Sequence, residues 1–318
     1  MADTPKVFNI VVIGVGIAGR VRIRDLKEAE AGGKGLKLAG FVSRRSLIID
    51  GVRQLNQDEA LQSPDVHGVM VCTEPGSHEE IVQRALDHNK HVLVEYPVAL
   101  SPQKARDMYS QAAEKGLVLH EENIALLTEA QARLKEKVAT TTSRLTSGEI
   151  TLRGNYNGWI EDFSRSGLPF LTNVSIIQTV IAVFGEVKAT RAEMETTEKG
   201  FIASGELETH TGSVIRLTLE RFKEKVPRVK TLRFEFEDGS VFDTEGDKPP
   251  ESIIPGRGES IPTAPIPGNQ RKKGLFMQDL ELFLEKLQGP RSRSEGSQLS
   301  VEALKVASDL NSLIADKC

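Results

Sequence analysis

Asn9-Ile10-Val11-Val12-Ile13 runs into Gly14-Val15-Gly16-Ile17-Ala18-Gly19, and a helix-compatible stretch opens directly behind it. Strand, glycine turn and helix start are what a dinucleotide pyrophosphate requires. Gly14 allows the tight turn, Gly16 lets phosphate approach the backbone, and Gly19 lets the helix pack on the strand. Ile17 and Ala18 stand at the helix N-terminus, which presents free N–H groups and a positive dipole end to the anion. Alone, such a turn is a weak signal, and the next strand sharpens it. Leu38-Ala39-Gly40-Phe41-Val42 ends in Ser43-Arg44-Arg45, where an NAD-preferring site carries Asp or Glu for the ribose 2′-hydroxyl. A serine and two arginines suit a 2′-phosphate, so the expected cofactor is NADPH, with NADH a poorer substitute. An ordinary solvated basic turn is the other reading of these residues.

The chain has 318 residues, enough for two domains with substantial cores. A net charge of −4 makes no case for attraction to nucleic acid or a membrane. Cys72 and Cys318 are too few for a disulfide framework, and Cys72 reads as a small core residue in an apolar strand. The start, Met1-Ala2-Asp3-Thr4-Pro5-Lys6, is polar, and no stretch approaches the ~18 apolar residues of a membrane helix. The expected compartment is the cytoplasm.

The expected fold class is α/β: a Rossmann domain over 1–125, then an α+β domain over 126–318 with a mostly antiparallel open sheet. Before residue 125, apolar runs alternate with helical patterns, as in a parallel sheet with crossover helices. Val66–Cys72, His91–Val94 and Leu117–His120 read as further strands. Ser77 with Glu80 reads as a capping box. Ser101 and Pro102 open a helix that Gly116 ends. In the second half, alternation appears in Glu149–Tyr156, Val187–Met194, Ser213–Arg221, Lys230–Phe236 and Ser240–Asp243, with a hairpin turn at Asp238-Gly239. Leu168–Phe184 is apolar enough for a helix packed between this sheet and the first domain. The segment from Glu245 to Gln270 holds six prolines and no periodicity, so it reads as a long loop. Gly274–Leu287 and Leu299–Ile314 read as closing helices.

Several residues carry candidate chemistry. Tyr96 follows a strand's carboxyl end, where α/β sheets bind ligands. Its phenol, with an ordinary pKa of about 10, is a poor base near neutrality, yet it donates a hydrogen bond and offers a flat apolar face. Shaping the strand exit is the alternative. Glu121 and Glu122 follow the last strand of the first half, and one of them is expected to point inward, where burial would let it supply a proton. They read equally well as carboxylates favoured by a helix beginning near Ile124. His120 reads as structural. Thr73 and His78 belong to the stretch Cys72–His78, expected near the cofactor; helix capping explains the same stretch. No set of His, Cys and carboxylates has metal-ligand spacing, and no Ser-His-Asp arrangement is arguable.

A Rossmann domain followed by an open antiparallel sheet resembles the glucose-fructose oxidoreductase-like superfamily, and within it the biliverdin reductase A family. The resemblance lies in Gly14–Gly19, Val21-Arg22-Ile23-Arg24-Asp25-Leu26, Gly40–Arg45, His91-Val92-Leu93-Val94-Glu95-Tyr96-Pro97 and Leu119-His120-Glu121-Glu122. It continues more loosely through Phe184-Gly185-Glu186, Leu232–Phe236 and the Gly274–Gly289 helix. Sugar-oxidising members usually carry Glu-Lys-Pro where this chain has Glu95-Tyr96-Pro97, which turns the expectation toward a planar conjugated substrate. The resemblance implies hydride transfer from NADPH to the central methine bridge of biliverdin, with Glu95, Tyr96 and Glu122 at the reaction and Glu95 also beside the cofactor. The substrate's two propionates imply basic partners, for which Arg165, Arg221, Lys223, Arg228, Lys230, Arg271, Lys272 and Lys273 are candidates.

The chain departs from the family pattern in three places. Asn123 and Ala125 stand where members commonly carry His and Glu. Ile176 stands where a helical arginine faces the tetrapyrrole, and Arg165 is the expected substitute. Another planar or carbonyl substrate, or cofactor binding with little catalysis, are the alternatives. A monomer is expected, with association through the second sheet as the other possibility.

Overall fold

The computed structural model describes residues 6–156, 158–245, 274–289 and 292–315. In chain order the first elements are β1 (Phe8–Ile13), α1 (Ile17–Ala31), β2 (Leu36–Val42), β3 (Gln54–Leu55), α2 (Gln57–Gln62), β4 (Gly68–Val71), α3 (His78–Asp87), β5 (His91–Val94), α4 (Pro102–Glu114) and β6 (Leu119–Glu121). Then follow α5 (Glu129–Thr140), β7 (Leu145–Asn155), α6 (Phe163–Ser166), α7 (Val174–Phe184), β8 (Val187–Thr197), β9 (Gly200–Thr209), β10 (Val214–Phe222), β11 (Val229–Phe236), β12 (Val241–Asp243), α8 (Leu275–Gln288) and α9 (Ser297–Ala315). The chain forms two compact units.

The first unit holds a sheet of order β3-β2-β1-β4-β5-β6. Every pairing in it is parallel. The order reverses between β1 and β4, which makes the crevice at their carboxyl ends the natural ligand site. β1, β4 and β5 at its centre are near-continuous buried apolar runs, as strands inside a parallel sheet are. The division at residue 125 needs a correction here, because α8 belongs to this first unit. Met277, Leu280, Phe283, Leu284 and Leu287 of α8 share one core with Phe8, Ile10, Val12, Ile23, Leu26 and Phe41. That apolar stripe needs an apolar partner, and each such side chain buried contributes about 1.5–3 kcal/mol.

The second unit holds a sheet of order β12-β11-β7-β10-β9-β8. All its pairings are antiparallel except β7 with β10. One face is core, and a Cβ on Gly205 would press on Phe170 and Leu310. Across the other face the register lines up Asp243, Arg233, Glu149, Arg216, Glu206 and Arg191, one per strand with alternating sign.

β9 escaped the alternation pattern because small Ala203 and Gly205 occupy inward positions. The helix expected over Leu168–Phe184 begins only at Val174. Turns at Leu171 and Thr172 return to the Leu168 carbonyl, and Asn173 Nδ2 donates to the Pro169 carbonyl at 2.8 Å. Ser77 makes no side-chain cap for α3. It closes a short 3-10 turn, so its hydroxyl lies 2.8 Å from both Thr73 Oγ1 and the Glu74 carbonyl. The loop expected over Glu245–Gln270 lies, from residue 246 on, outside the described residues.

Candidate active site

The glycine turn joins β1 to α1 with each glycine doing a different job. Gly14 has φ of +94°, and a Cβ there would meet the Cys72 carbonyl oxygen at 2.6 Å. A Cβ on Gly19 would overlap the Gly14 carbonyl oxygen. A Cβ on Gly16 would meet nothing within 4 Å. Gly14 and Gly19 therefore permit the fold, and Gly16 keeps an open cradle. Gly16 is the N-cap of α1 with no side-chain hydrogen bond, and the N–H groups of a helix's first turn have no partner within the helix. Exposed Ile17 and half-buried Ala18 border the cradle. Backbone donors, a helix N-terminus and free space fit a pyrophosphate.

Ser43-Arg44-Arg45 leaves β2 beside this turn. Arg45 Nη2 donates to the Val15 carbonyl at 3.3 Å, and Ser43 Oγ accepts from the Arg45 N–H at 3.1 Å. Gln54 Nε2 donates to the carbonyls of Ser43 and Arg45 at 3.0 and 2.9 Å, which shapes the loop. Arg44 remains 82 % exposed and pairs with Glu74 at 2.8 Å. The segment leaving β2 carries two exposed guanidiniums and no carboxylate of its own, which fits a 2′-phosphate.

Thr73 and His78 sit on the other side of the crevice, after β4. His78 is fully buried, with Nδ1 2.8 Å from the Pro97 carbonyl and Nε2 3.0 Å from the Thr73 carbonyl. Burial pushes its pKa down, against those two carbonyls, which pull it up. The expected contact between His78 and the cofactor is corrected accordingly: the ring has no accessible surface, and it ties the Thr73 loop to the segment after β5. Thr73 is half-buried.

Beneath the carboxyl ends of β5 and β6 lies a cluster of charged groups. Arg22 of α1 has no exposed surface. Its Nε donates to Glu95 Oε1 at 3.0 Å, its Nη2 to Asp279 Oδ2 at 2.7 Å and its Nη1 to the Phe276 carbonyl at 3.2 Å. The guanidinium also stacks 4.7 Å from the Phe276 ring centre. Asp279 Oδ1 lies 2.8 Å from His120 Nε2, and Lys286 Nζ lies 3.0 Å from His120 Nδ1. Burial raises the Glu95 pKa, against Arg22, which lowers it. His120 is therefore structural, with both ring nitrogens engaged.

Glu121 and Glu122 are both buried, where only one was expected to face inward. Glu121 is accommodated because its Oε1 accepts the Val98 N–H at 2.6 Å. Glu122 Oε1 accepts the Ile124 N–H at 2.8 Å, at the start of a 3-10 turn. Its Oε2 is buried without a hydrogen-bond partner. Burial, reinforced by Glu95 and Asp279, pushes the Glu122 pKa well above the usual carboxylate range. Burial of this kind favours the neutral, protonated form of the carboxyl over the charged one. Tyr96 is half-buried immediately after Glu95.

In the second unit, Arg165 is exposed on α6 and Ile176 is buried on α7. Arg221 is drawn inward, with Nη2 donating to Asn173 Oδ1 at 2.6 Å. Lys223, Arg228 and Lys230 are exposed, while Arg271, Lys272 and Lys273 lie outside the described residues.

Residues 8–123 match the oxidoreductase family with an NAD-binding Rossmann fold. Over 98% of this chain and 98% of the relative, the sequence is 34% identical to biliverdin reductase A of Mus musculus. It is also 34% identical to biliverdin reductase A of Homo sapiens, over 92% of this chain and 90% of that protein. The chain belongs to the biliverdin reductase A family. It is an NAD(P)H-dependent oxidoreductase. The biliverdin reductase of Synechocystis sp. PCC 6803, solved with biliverdin and NADP+, shares the fold with a TM-score of 0.75 at 22% identity, over 98% of this chain and 100% of that one.

In this biliverdin reductase A family member, Arg22, quoted above only for the resemblance, and Asp279 and Lys286 have a place in the site that their sequence positions alone do not assign. A signal was present. Arg22 shares a helix face with Leu26 and Ala29, and Asp279 sits between Phe276 and Phe283. A charge of each sign on an otherwise apolar helical face marks a buried pair.

Proposed function

We propose that this protein reduces biliverdin to bilirubin with NADPH. The observation that carries the reading is Tyr96 at the β5 terminus, where sugar-oxidising relatives place lysine, in a chain similar to biliverdin reductase A over almost its whole length. NADPH, when bound, supplies a hydride for the central methine bridge, and a pyrrole nitrogen gains a proton.

The chain's own residues do the remaining work. Gly14, Gly16, Ile17, Ala18 and Gly19 receive the pyrophosphate; Ser43, Arg44 and Arg45 hold the 2′-phosphate; Thr73 borders the crevice. NADH, lacking that phosphate, binds less tightly. Tyr96 presents a planar face and a hydrogen-bond donor to a conjugated substrate. Glu95 is the carboxylate beside the reacting groups, oriented by Arg22. Glu122 holds the proton at its unpartnered oxygen, one strand away from Glu95. Arg165 is the cation offered to a propionate. Alternating charges across the open sheet face support a monomer, because a second copy would have to desolvate them. The setting this reading implies is haem breakdown in the cytoplasm.

Ile176 supports a second reading, reduction of another planar or carbonyl substrate, because an apolar residue there leaves one carboxylate of biliverdin without its family partner. Incubation with NADPH and biliverdin separates the two. Growth of the bilirubin absorbance band supports the first reading. No band, with turnover of a carbonyl panel, supports the second.

A further inference from the structure

A buried chain of polar groups runs from Lys286 to Glu95, and its two cations set the direction of every hydrogen bond. A lysine ammonium only donates, so Nζ at 3.0 Å makes His120 Nδ1 an acceptor. The imidazole is then neutral, with its hydrogen on Nε2, donating to Asp279 Oδ1 at 2.8 Å. Burial likewise pushes the His120 pKa down, against Asp279. Arg22 also only donates, to Asp279 Oδ2 at 2.7 Å and to Glu95 Oε1 at 3.0 Å. The Asn123 N–H adds a third donor to Asp279, at 3.3 Å. Three donors converging on one side chain require a carboxylate; an amide would set its own N–H against one of them. Burial opposes ionisation of Asp279, yet His120 and Arg22 hold its carboxyl below the usual range.

We propose that Asp279 and Lys286 are positioning residues that lock Arg22 in the orientation from which its Nε holds Glu95 at the end of β5. This rests on the role given to Glu95 above. Phe276, Asp279 and Lys286 all lie on α8, so one helix distant in sequence from the glycine turn sets the Arg22 guanidinium. Lys286 fixes the His120 tautomer, His120 and Arg22 share Asp279, and Arg22 passes that constraint to Glu95.

The test is a double-mutant cycle on biliverdin turnover with Glu95→Gln, Asp279→Asn and the double variant, alongside Lys286→Met and Lys286→Gln. Asp279→Asn and Lys286→Met each lower kcat about tenfold while the KM for NADPH stays within about twofold. Asp279→Asn added to Glu95→Gln costs nothing further, and Lys286→Gln, which still donates, restores most of kcat. Multiplying losses overturn the proposal, as does a Lys286→Met defect that glutamine leaves unrepaired. A second readout needs no turnover: the ring nitrogens of His120 and the carboxyl carbon of Glu95, followed by NMR in the cofactor-free protein. Lys286→Met mixes the His120 tautomers and moves the Glu95 signal, and Lys286→Gln returns both. A Glu95 signal indifferent to Lys286→Met and Asp279→Asn overturns the proposal whatever the substrate is. Signals that move as described, in a protein inactive toward biliverdin, support the positioning chain and fault the assigned reaction instead.

Discussion

Arg22 Nε donates to Glu95 Oε1 across 3.0 Å from a guanidinium with no accessible surface. The same guanidinium serves Asp279, so one buried cation balances two carboxylates from different elements. Removing one partner of such a set leaves charges buried and unpaired. Arg22→Met therefore loses about 3–5 kcal/mol of stability in urea unfolding. Adding Asp279→Leu returns part of that loss, since an uncompensated charge goes with it. An Arg22→Met protein as stable as the parent would contradict this energetic picture.

Glu122 gives a linked change in stability and activity. Its pKa is raised in the fold by burial and by Glu95 and Asp279, so its contribution is full below the unfolded value of 4.5 and is lost as pH rises. Glu122→Gln needs no proton from solvent. The variant melts roughly 2–4 °C above the parent near neutral pH, and the difference shrinks as pH approaches 4.5. Its kcat falls about 100-fold if Glu122 supplies the proton. Higher stability with unchanged kcat would remove Glu122 from the reaction.

At the opposite end of the sheet, His91 contributes to acid sensitivity. Burial, with Arg293, Lys6 and His67 nearby, pushes its pKa from 6.5 down to about 4. Its Nδ1 accepts the Val118 N–H at 3.0 Å, a bond that only the unprotonated nitrogen makes. A depressed histidine contributes stability that is complete above the unfolded value and lost as pH falls. The melting temperature should decline between pH 6.5 and 4, and His91→Gln should flatten that decline. An unaltered slope in the variant would assign the acid loss elsewhere.

Cofactor preference tests the exit of β2. Arg44→Ala with Arg45→Ala should weaken NADPH binding at least about tenfold while leaving NADH within about twofold, read by fluorescence titration. Equal weakening of both cofactors would place the arginines on the pyrophosphate or on folding.

The glycine turn, the Arg44-Arg45 pair and the strand starting at His91 were legible because each is local: a backbone turn, a charge pattern, an apolar run. The second sheet was mostly legible for the same reason, and β9 was not, since Gly205 and Ala203 erase alternation where Phe170 and Leu310 press. What stayed hidden is long-range. Arg22 and Asp279 lie 257 positions apart, and no periodicity announces that α8 returns to the first sheet. His78 misled because a histidine beside a ligand loop looks the same in sequence whether its ring is exposed or fully buried.

Hydride transfer to a conjugated bridge is tested directly by following an isotope. The protein is mixed with biliverdin and NADPH deuterated at the nicotinamide C4, each face in turn, and the product is examined by mass spectrometry and NMR. Bilirubin carrying one deuterium at the central methine carbon is expected from one of the two labelled cofactors. Unreduced biliverdin, or bilirubin with no deuterium at that carbon from either, would contradict that transfer.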